Sequence, residues 1–209
     1  MSTGIIDDLS RGSTPVFAPI TVQQYHAMIS TGILLEGAPI ELIDGLLVQK
    51  DRRDNCGAIT MVGPRHATAV QKLPRLLETA VAGHPFHARS QQPITLSGLG
   101  EPEPDTALVA GTPDDYSGHH PGPADVRLVA EIADSSLAYD RTTKQRVYAT
   151  ACIPLFWIVN LHDDVIEVYE TPLPDQGRYQ TRVDYRVDDE IRFRIGSDEF
   201  GLVVRDVLG

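Results

Sequence analysis

The hydrophobic pattern in the second half of the chain predicts two buried strands joined by a helix. Residues 127–133 are nearly all apolar, which is typical of a strand that is covered on both faces. Residues 155–160 form a second apolar run, and residues 139–151 between them have helical periodicity. A strand, a helix and a strand of these lengths predict a right-handed crossover between parallel strands.

The pattern on either side of this unit predicts further elements. A helix is predicted over residues 21–30, and a hairpin over residues 40–48 has its turn at Asp44-Gly45. A second helix over residues 66–81 contains Pro74, which predicts a kink. The remaining strands are predicted over residues 86–96, 105–110, 165–170 and within 179–195, and polar loops over 49–63 and 111–123.

The order helix, three strands, helix, strand predicts an α/β fold in which helices flank a mixed β-sheet, with extra antiparallel hairpins. The hairpin that carries Glu41 is expected at one edge of the sheet and the segment after Val165 at the other. Residues 1–20 are rich in Ser, Gly, Thr and Pro and predict a flexible arm. Residues 21–209 are then expected to form a single domain. The central strands are predicted at 88–96, 105–110, 127–133 and 155–160.

Composition narrows the class of protein. Of 209 residues, 42% are hydrophobic and 22% charged, as in soluble globular proteins. No apolar run reaches the ~18 residues that span a membrane, and no basic start precedes an apolar core, so neither membrane association nor secretion is expected. The two cysteines lie far apart, which favours a reducing, cytoplasmic location. The net charge of −11 argues against non-specific coating of nucleic acid.

Candidate chemistry lies at the ends of the predicted central strands. Glu131 is a carboxylate inside an apolar strand, where its charge is costly to bury without a partner, and Asp105 begins the preceding strand. Two carboxylates on neighbouring strands suit Mg²⁺, which polarises phosphoryl oxygens and lowers the pKa of bound water. Lys144 shares a helix face with Asp140 and Tyr148, and can orient or deprotonate that water. These residues predict metal-dependent phosphodiester hydrolysis.

The same residues resemble a known nuclease motif. Pro104-Asp105, Glu131 and Lys144 resemble the PD-(D/E)xK motif, although its common form places the lysine where this chain has Ala133. The chain also resembles the Uma2 family of restriction endonucleases, from about Tyr25 to Tyr169. The segments that carry this likeness are ELIDG, EPEPDTALV, LVAEIADSS, YDRTTKQRVYA, IPLFWIVN and VIEVYE. The resemblance implies a restriction-endonuclease-like fold, DNA as substrate, and Mg²⁺ or Mn²⁺ as cofactor.

Further residues are auxiliary candidates, and each has a structural alternative. The resemblance makes Glu41 a site residue, but a charge on an edge strand explains it equally well. His66 is a candidate that otherwise only begins a helix. Asp140 can orient Lys144, or the two can form a surface ion pair one helical turn apart. Zinc binding is disfavoured for four other histidines, because they lie in Pro- and Gly-rich loops without cysteines or regularly spaced partners: His84, His87, His119 and His120.

Two classes of function remain open. The first is a metal-dependent endonuclease acting on DNA, which the trio Asp105, Glu131 and Lys144 favours. The second is a catalytically inert or regulatory protein that keeps the nuclease fold to bind a protein or nucleic-acid partner, which the acidic net charge favours. The resemblance and the expected open sheet edges predict a homodimer.

Overall fold

A computed structural model describes residues 18–50 and 63–209. Residues 1–17, which make up most of the predicted arm over residues 1–20, lie outside the described residues. So do residues 51–62, which make up most of the loop predicted over residues 49–63. No helix in the described part of the chain is long and apolar enough to cross a membrane.

The described elements follow the predicted order. The helices are α1 (Val22–Ser30), α2 (Pro64–Ala80), α3 (137–150) and α4 (Val204–Leu208). The strands are β1 (Ile40–Ile43), β2 (Leu46–Gln49), β3 (Phe86–Ser90), β4 (Thr106–Ala110), β5 (Val126–Ala133), β6 (Leu155–Asn160), β7 (Val165–Leu173), β8 (Arg178–Arg186), β9 (Glu190–Ile195) and β10 (Asp198–Val203).

A six-stranded mixed sheet is the centre of the fold. Its strands lie in the order β3-β4-β5-β6-β7-β8, with β5 and β6 parallel and the other neighbours antiparallel. The crossover β5–α3–β6 is therefore confirmed, and so is the α/β class with helices flanking a mixed sheet. The segment after Val165 extends the sheet beyond β6, as predicted, through β7 and β8.

Two helices cover opposite faces of this sheet because alternate residues of its buried strands point to opposite sides. On one face, α2 packs through Leu73 against Trp157 and the β9–β10 hairpin. On the other face, α3 packs through Tyr148 against Phe156 and the β1–β2 hairpin. Ala130 and Ile132, the neighbours of Glu131 in β5, belong to the face that α2 covers. The Glu131 side chain therefore points to the face that α3 covers. The candidate site is consequently enclosed between the sheet and α3.

The helix α3 contains a π-helical segment that the sequence did not predict. α-Helical Leu137–Tyr139 and Gln145–Thr150 flank π-helical Asp140–Lys144, and the Gln145 N–H donates to the carbonyl of Asp140 five residues earlier. Such segments are rare and occur often at functional sites. This one begins and ends at two of the candidate site residues.

The β1–β2 hairpin forms as predicted, but its predicted position is wrong. Asp44 and Gly45 both have positive φ, 51° and 77°, and a Cβ on Gly45 would lie 2.5 Å from the Cβ of Pro19, so glycine is required there. The hairpin is a separate two-stranded sheet and not an edge of the main one; a single bridge joins Leu42 to Glu101. Three consecutive residues of β1 are buried, so other parts of the chain cover both faces of this strand, unlike a strand at the open edge of a sheet.

The strand predicted over residues 86–96 is shorter than expected. β3 ends at Ser90 because Gln91 adopts a positive φ of 50°, which turns the chain away from β4, and Pro93 follows. The next residues still contribute to the core, since Ile94 is fully buried on the α3 face. The apolar pattern that extended the prediction therefore reflects burial outside a strand.

Candidate active site

Asp105 and Glu131 are placed side by side by the pairing of β4 with β5. Thr106 is opposite Ala130, so the residue before β4 lies beside Glu131. The Asp105 N–H approaches Glu131 Oε2 at 3.4 Å, and Asp105 Oδ2 accepts a 2.9 Å hydrogen bond from the Ile132 N–H. The two residues thus lie side by side at the start of β4, on the face that α3 covers.

Lys144 reaches this position from α3. Its Nζ lies 3.0 Å from Glu131 Oε1 and 2.7 Å from Glu41 Oε2, and its side chain is only 4% exposed. The small Ala133, on the same face as Glu131, belongs to the adjoining core. The ammonium therefore joins β5 to β1 through two buried ion pairs.

Burial overturns two of the structural alternatives. Lys144 does not form a surface pair with Asp140, because it is enclosed and its ion-pair partners are Glu131 and Glu41. Glu41 is not an exposed edge charge, because only 3% of it is accessible. Asp140 is buried as well, and its Oδ2 accepts a 2.6 Å hydrogen bond from Ser136 Oγ.

His66, in the first turn of α2, contacts the other carboxylate of the pair. Its Nε2 lies 3.6 Å from Asp105 Oδ2, and this interaction is the main cause of a raised His66 pKa. Burial alone would raise the pKa of Asp105, but His66 and the Ile132 N–H outweigh it and lower that pKa. Asp105 is therefore held as a carboxylate, and His66 is the side chain that holds it.

Burial is the largest influence on the pKa of each of the other buried groups. Burial, with Asp105 and Glu41 nearby, raises the pKa of Glu131 despite the attraction of Lys144. Burial and the charge of Glu131 raise the pKa of Asp140 to about 8. Burial would lower the pKa of Lys144, but Glu131 and Glu41 together raise it, so the ammonium stays charged near neutral pH.

Three further side chains complete the cluster, and none was among the candidate site residues. Tyr148 donates a 2.6 Å hydrogen bond to Glu131 Oε1, and Lys50 Nζ lies 3.3 Å from Glu41 Oε1. The buried hydroxyl of Tyr139 has no hydrogen-bond partner within residues 18–50 and 63–209. Only Tyr148 had a signal in the sequence, since it shares a helix face with Lys144.

The donor set fits a hard divalent cation. Glu131 and Glu41 lie on either side of Lys144 Nζ, and Asp105 is the cross-strand neighbour of Glu131; carboxylate oxygens such as theirs are the ligands that Mg²⁺ prefers. A bound cation would favour the ionised form of Glu131, whose pKa burial and the neighbouring carboxylates raise.

Comparison with known proteins finds one family and a related fold. The matching family is Uma2, described as "Putative restriction endonuclease", over residues 22–194. The chain is also similar to the crystal structure of a protein described as a "putative nuclease belonging to DUF820 from Anabaena variabilis ATCC 29413". The two are 16% identical, with 91% of this chain and 98% of that chain covered and a TM-score of 0.60, so the likeness is one of fold. No curated protein matches the chain.

Proposed function

The chain belongs to the Uma2 family, and from that premise we propose that it is a metal-dependent endonuclease that hydrolyses phosphodiester bonds in DNA. One observation carries the proposal: Glu131 and Glu41 share the buried ammonium of Lys144, and Asp105 lies beside Glu131 on the neighbouring strand. An idle fold gains nothing from buried charges that raise one another's pKa, whereas a metal site requires them.

Asp105 and Glu131 are the proposed metal ligands, with Glu41 as an auxiliary carboxylate. Mg²⁺ is the expected ion and Mn²⁺ its substitute, since both favour oxygen donors. When bound, the ion supplies Lewis-acid polarisation of a phosphoryl oxygen and lowers the pKa of coordinated water. His66 acts on Asp105 as a positioning residue that keeps its carboxylate ionised and oriented.

Lys144 is proposed to position the attacking water and to stabilise negative charge on the phosphate. Its raised pKa makes it a hydrogen-bond donor near neutral pH and a poor proton acceptor, so electrostatic stabilisation is favoured over general-base catalysis. Glu131 and Glu41 fix the ammonium from two sides. Asp140 lies on the same helix and is protonated near neutral pH, so it adds no negative charge beside Lys144.

The acidic net charge shapes how DNA would be bound. With −11 overall, the chain repels a polyanion at long range, so phosphate contacts near the site depend on the bound metal and on local cations. Lys50, beside Glu41, is one such cation. DNA affinity should therefore rise with Mg²⁺ or Ca²⁺, which is not expected of a protein that binds through a basic surface.

We further propose a cytoplasmic homodimer. β3 and β8 are the outer strands of the main sheet, and exposed Val183 lies on β8. A two-fold dimer would present two sites to the two strands of a duplex. Sedimentation velocity at micromolar concentration should give the mass of two chains, and a single-chain mass would remove this part of the proposal.

The activity is tested with supercoiled plasmid, duplex and single-stranded oligonucleotides and RNA, each with Mg²⁺, Mn²⁺ or EDTA. Metal-dependent cleavage of DNA is expected, and Asp105→Ala should abolish it. Asp175→Ala, which removes an exposed carboxylate between β7 and β8, is the matched control and should cleave normally. If the wild-type chain cleaves nothing yet binds DNA or a protein as tightly as Asp105→Ala does, the inert-fold alternative is correct.

A further inference from the structure

A second group of metal-ligating side chains lies outside the candidate active site. The ligand atoms of His26, Glu101 and His120 all lie within 4.8 Å of one another, and His26 Nε2 is 2.6 Å from Glu101 Oε1. The three residues come from α1, from the segment between β3 and β4, and from the loop between β4 and β5. We refer to them as the histidine cluster.

The carboxylate of the histidine cluster is held in place before any ion binds. The Glu101 side chain is only 1% exposed, and its Oε2 accepts a 2.6 Å hydrogen bond from Thr95 Oγ1. A carboxylate that is oriented through its second oxygen is the arrangement found around established metal ligands. The His26 side chain is 49% exposed, so the cluster is open to solvent on one side and an ion can enter.

We propose that His26, Glu101 and His120 bind a divalent transition-metal ion of the zinc class. Two imidazoles and one carboxylate are the donors that such ions prefer, and three protein ligands leave a position for water. The 2.6 Å contact between His26 and Glu101 is a hydrogen bond, and its proton is what the ion would replace. The candidate active site, with oxygen donors only, would instead select Mg²⁺.

The position of the histidine cluster gives the ion a structural role. The Glu101 N–H donates to the carbonyl of Leu42, which follows Glu41, and Pro104 ends the short segment that leads from Glu101 to Asp105. One ion would therefore tie α1 and the loop between β4 and β5 to the backbone on which two active-site carboxylates are mounted. The ion would stabilise the position of these segments and would not contact the substrate.

The test uses the full chain without a histidine tag and Co²⁺ as a spectroscopic probe. Titration should give visible d–d absorption that saturates, and Zn²⁺ should displace it. His120→Ala and His26→Gln should each weaken Co²⁺ and Zn²⁺ binding by more than about 10-fold, because each removes one ligand. His119→Ala, which removes the exposed neighbouring imidazole, is the matched control and should bind both ions normally.

A variant of the candidate active site shows which of the two sites holds the Co²⁺ ion. Asp105→Asn should keep the Co²⁺ spectrum and the Zn²⁺-induced rise in melting temperature, and both should disappear on adding His120→Ala. Retention of wild-type Co²⁺ binding in His26→Gln and His120→Ala would overturn the proposal. So would loss of that binding in Asp105→Asn alone, since the ion would then lie in the active site. Because the readouts are binding and stability, failure of the proposed nuclease activity leaves this test intact.

Discussion

Two buried glutamates on the same face of the sheet have opposite electrostatic environments. Glu131 on β5 is opposite Ile158, which is itself opposite Glu167 on β7, so the two carboxylates lie in one cross-strand row. Glu167 accepts hydrogen bonds from Arg141 Nε at 3.1 Å, Asn160 Nδ2 at 3.0 Å and the Tyr169 hydroxyl at 2.6 Å. Glu131 has one cation, Lys144, which it shares with another carboxylate.

The pKa shifts follow from these partners. Burial tends to raise both pKa values, but Arg141 and Tyr169 outweigh it and lower the pKa of Glu167. At Glu131 burial prevails, and two neighbouring carboxylates add to it. The partners of Glu167 outweigh burial and stabilise its ionised form, whereas those of Glu131 do not, so a cation would favour the ionised form of Glu131 more. The difference lies in the partners, because both residues occur in apolar strands.

The largest effect should separate the two glutamates by activity. Glu131→Gln should reduce DNA cleavage by about 10³-fold and also weaken Mn²⁺ binding, since it removes a proposed ligand. Glu167→Gln should cleave at nearly the wild-type rate. Single-turnover cleavage and calorimetric Mn²⁺ titration of both variants measure this. Equal losses of cleavage and Mn²⁺ binding in the two variants would mean that both glutamates have only a structural role.

Lys144→Ala should separate chemistry from metal binding. Cleavage should fall by about 10²–10³-fold, because charge on the phosphate loses its stabilising partner, while Mn²⁺ binding stays largely intact. The same change leaves Glu131 and Glu41 without their shared cation and should cost about 3–5 kcal/mol of unfolding free energy. Added Mn²⁺ should recover more stability in Lys144→Ala than in the wild type, as followed by urea denaturation.

The strands and the crossover on which the two glutamates lie were predictable from the sequence, whereas most contacts between distant segments were not. The apolar strands and the crossover follow from period and spacing, which are local properties, whereas the place of Lys144 in the site was implied by the resemblance to the nuclease motif. The docking of the Glu41 hairpin on the face of the sheet depends on packing between distant segments, and so does the meeting of His26 with His120. The π-helical turn of α3 leaves no mark on the apolar pattern, because its residues still recur at a helical interval.

A smaller effect should appear in the stability of Glu167→Gln. Losing a charged acceptor for Arg141 and Tyr169 should lower the unfolding free energy by about 1–3 kcal/mol at pH 7. The folded pKa of Glu167 lies below its usual value of 4.5, so its contribution is present above pH 4.5 and is lost as the pH falls through the folded pKa. Urea denaturation of both proteins from pH 7 to pH 3 should show the deficit shrinking with acid. A constant deficit would mean that shape, and not charge, is what Gln fails to reproduce.

The smallest effect is expected for Tyr148→Phe, which removes only the 2.6 Å hydrogen bond to Glu131 Oε1. That bond is one of the interactions that lower the pKa of Glu131 against burial, so without it the carboxylate becomes harder to ionise. Stability should change by about 1 kcal/mol or less, since the ring stays packed on Phe156. Cleavage should fall a few-fold and more at low pH than at high pH, because proton and metal compete for Glu131. Tyr179→Phe, which removes a buried hydroxyl bonded to the Ile153 carbonyl, is the matched control and should leave the pH profile unchanged. An identical shift in both variants would assign the effect to general loosening of the aromatic core and not to Glu131.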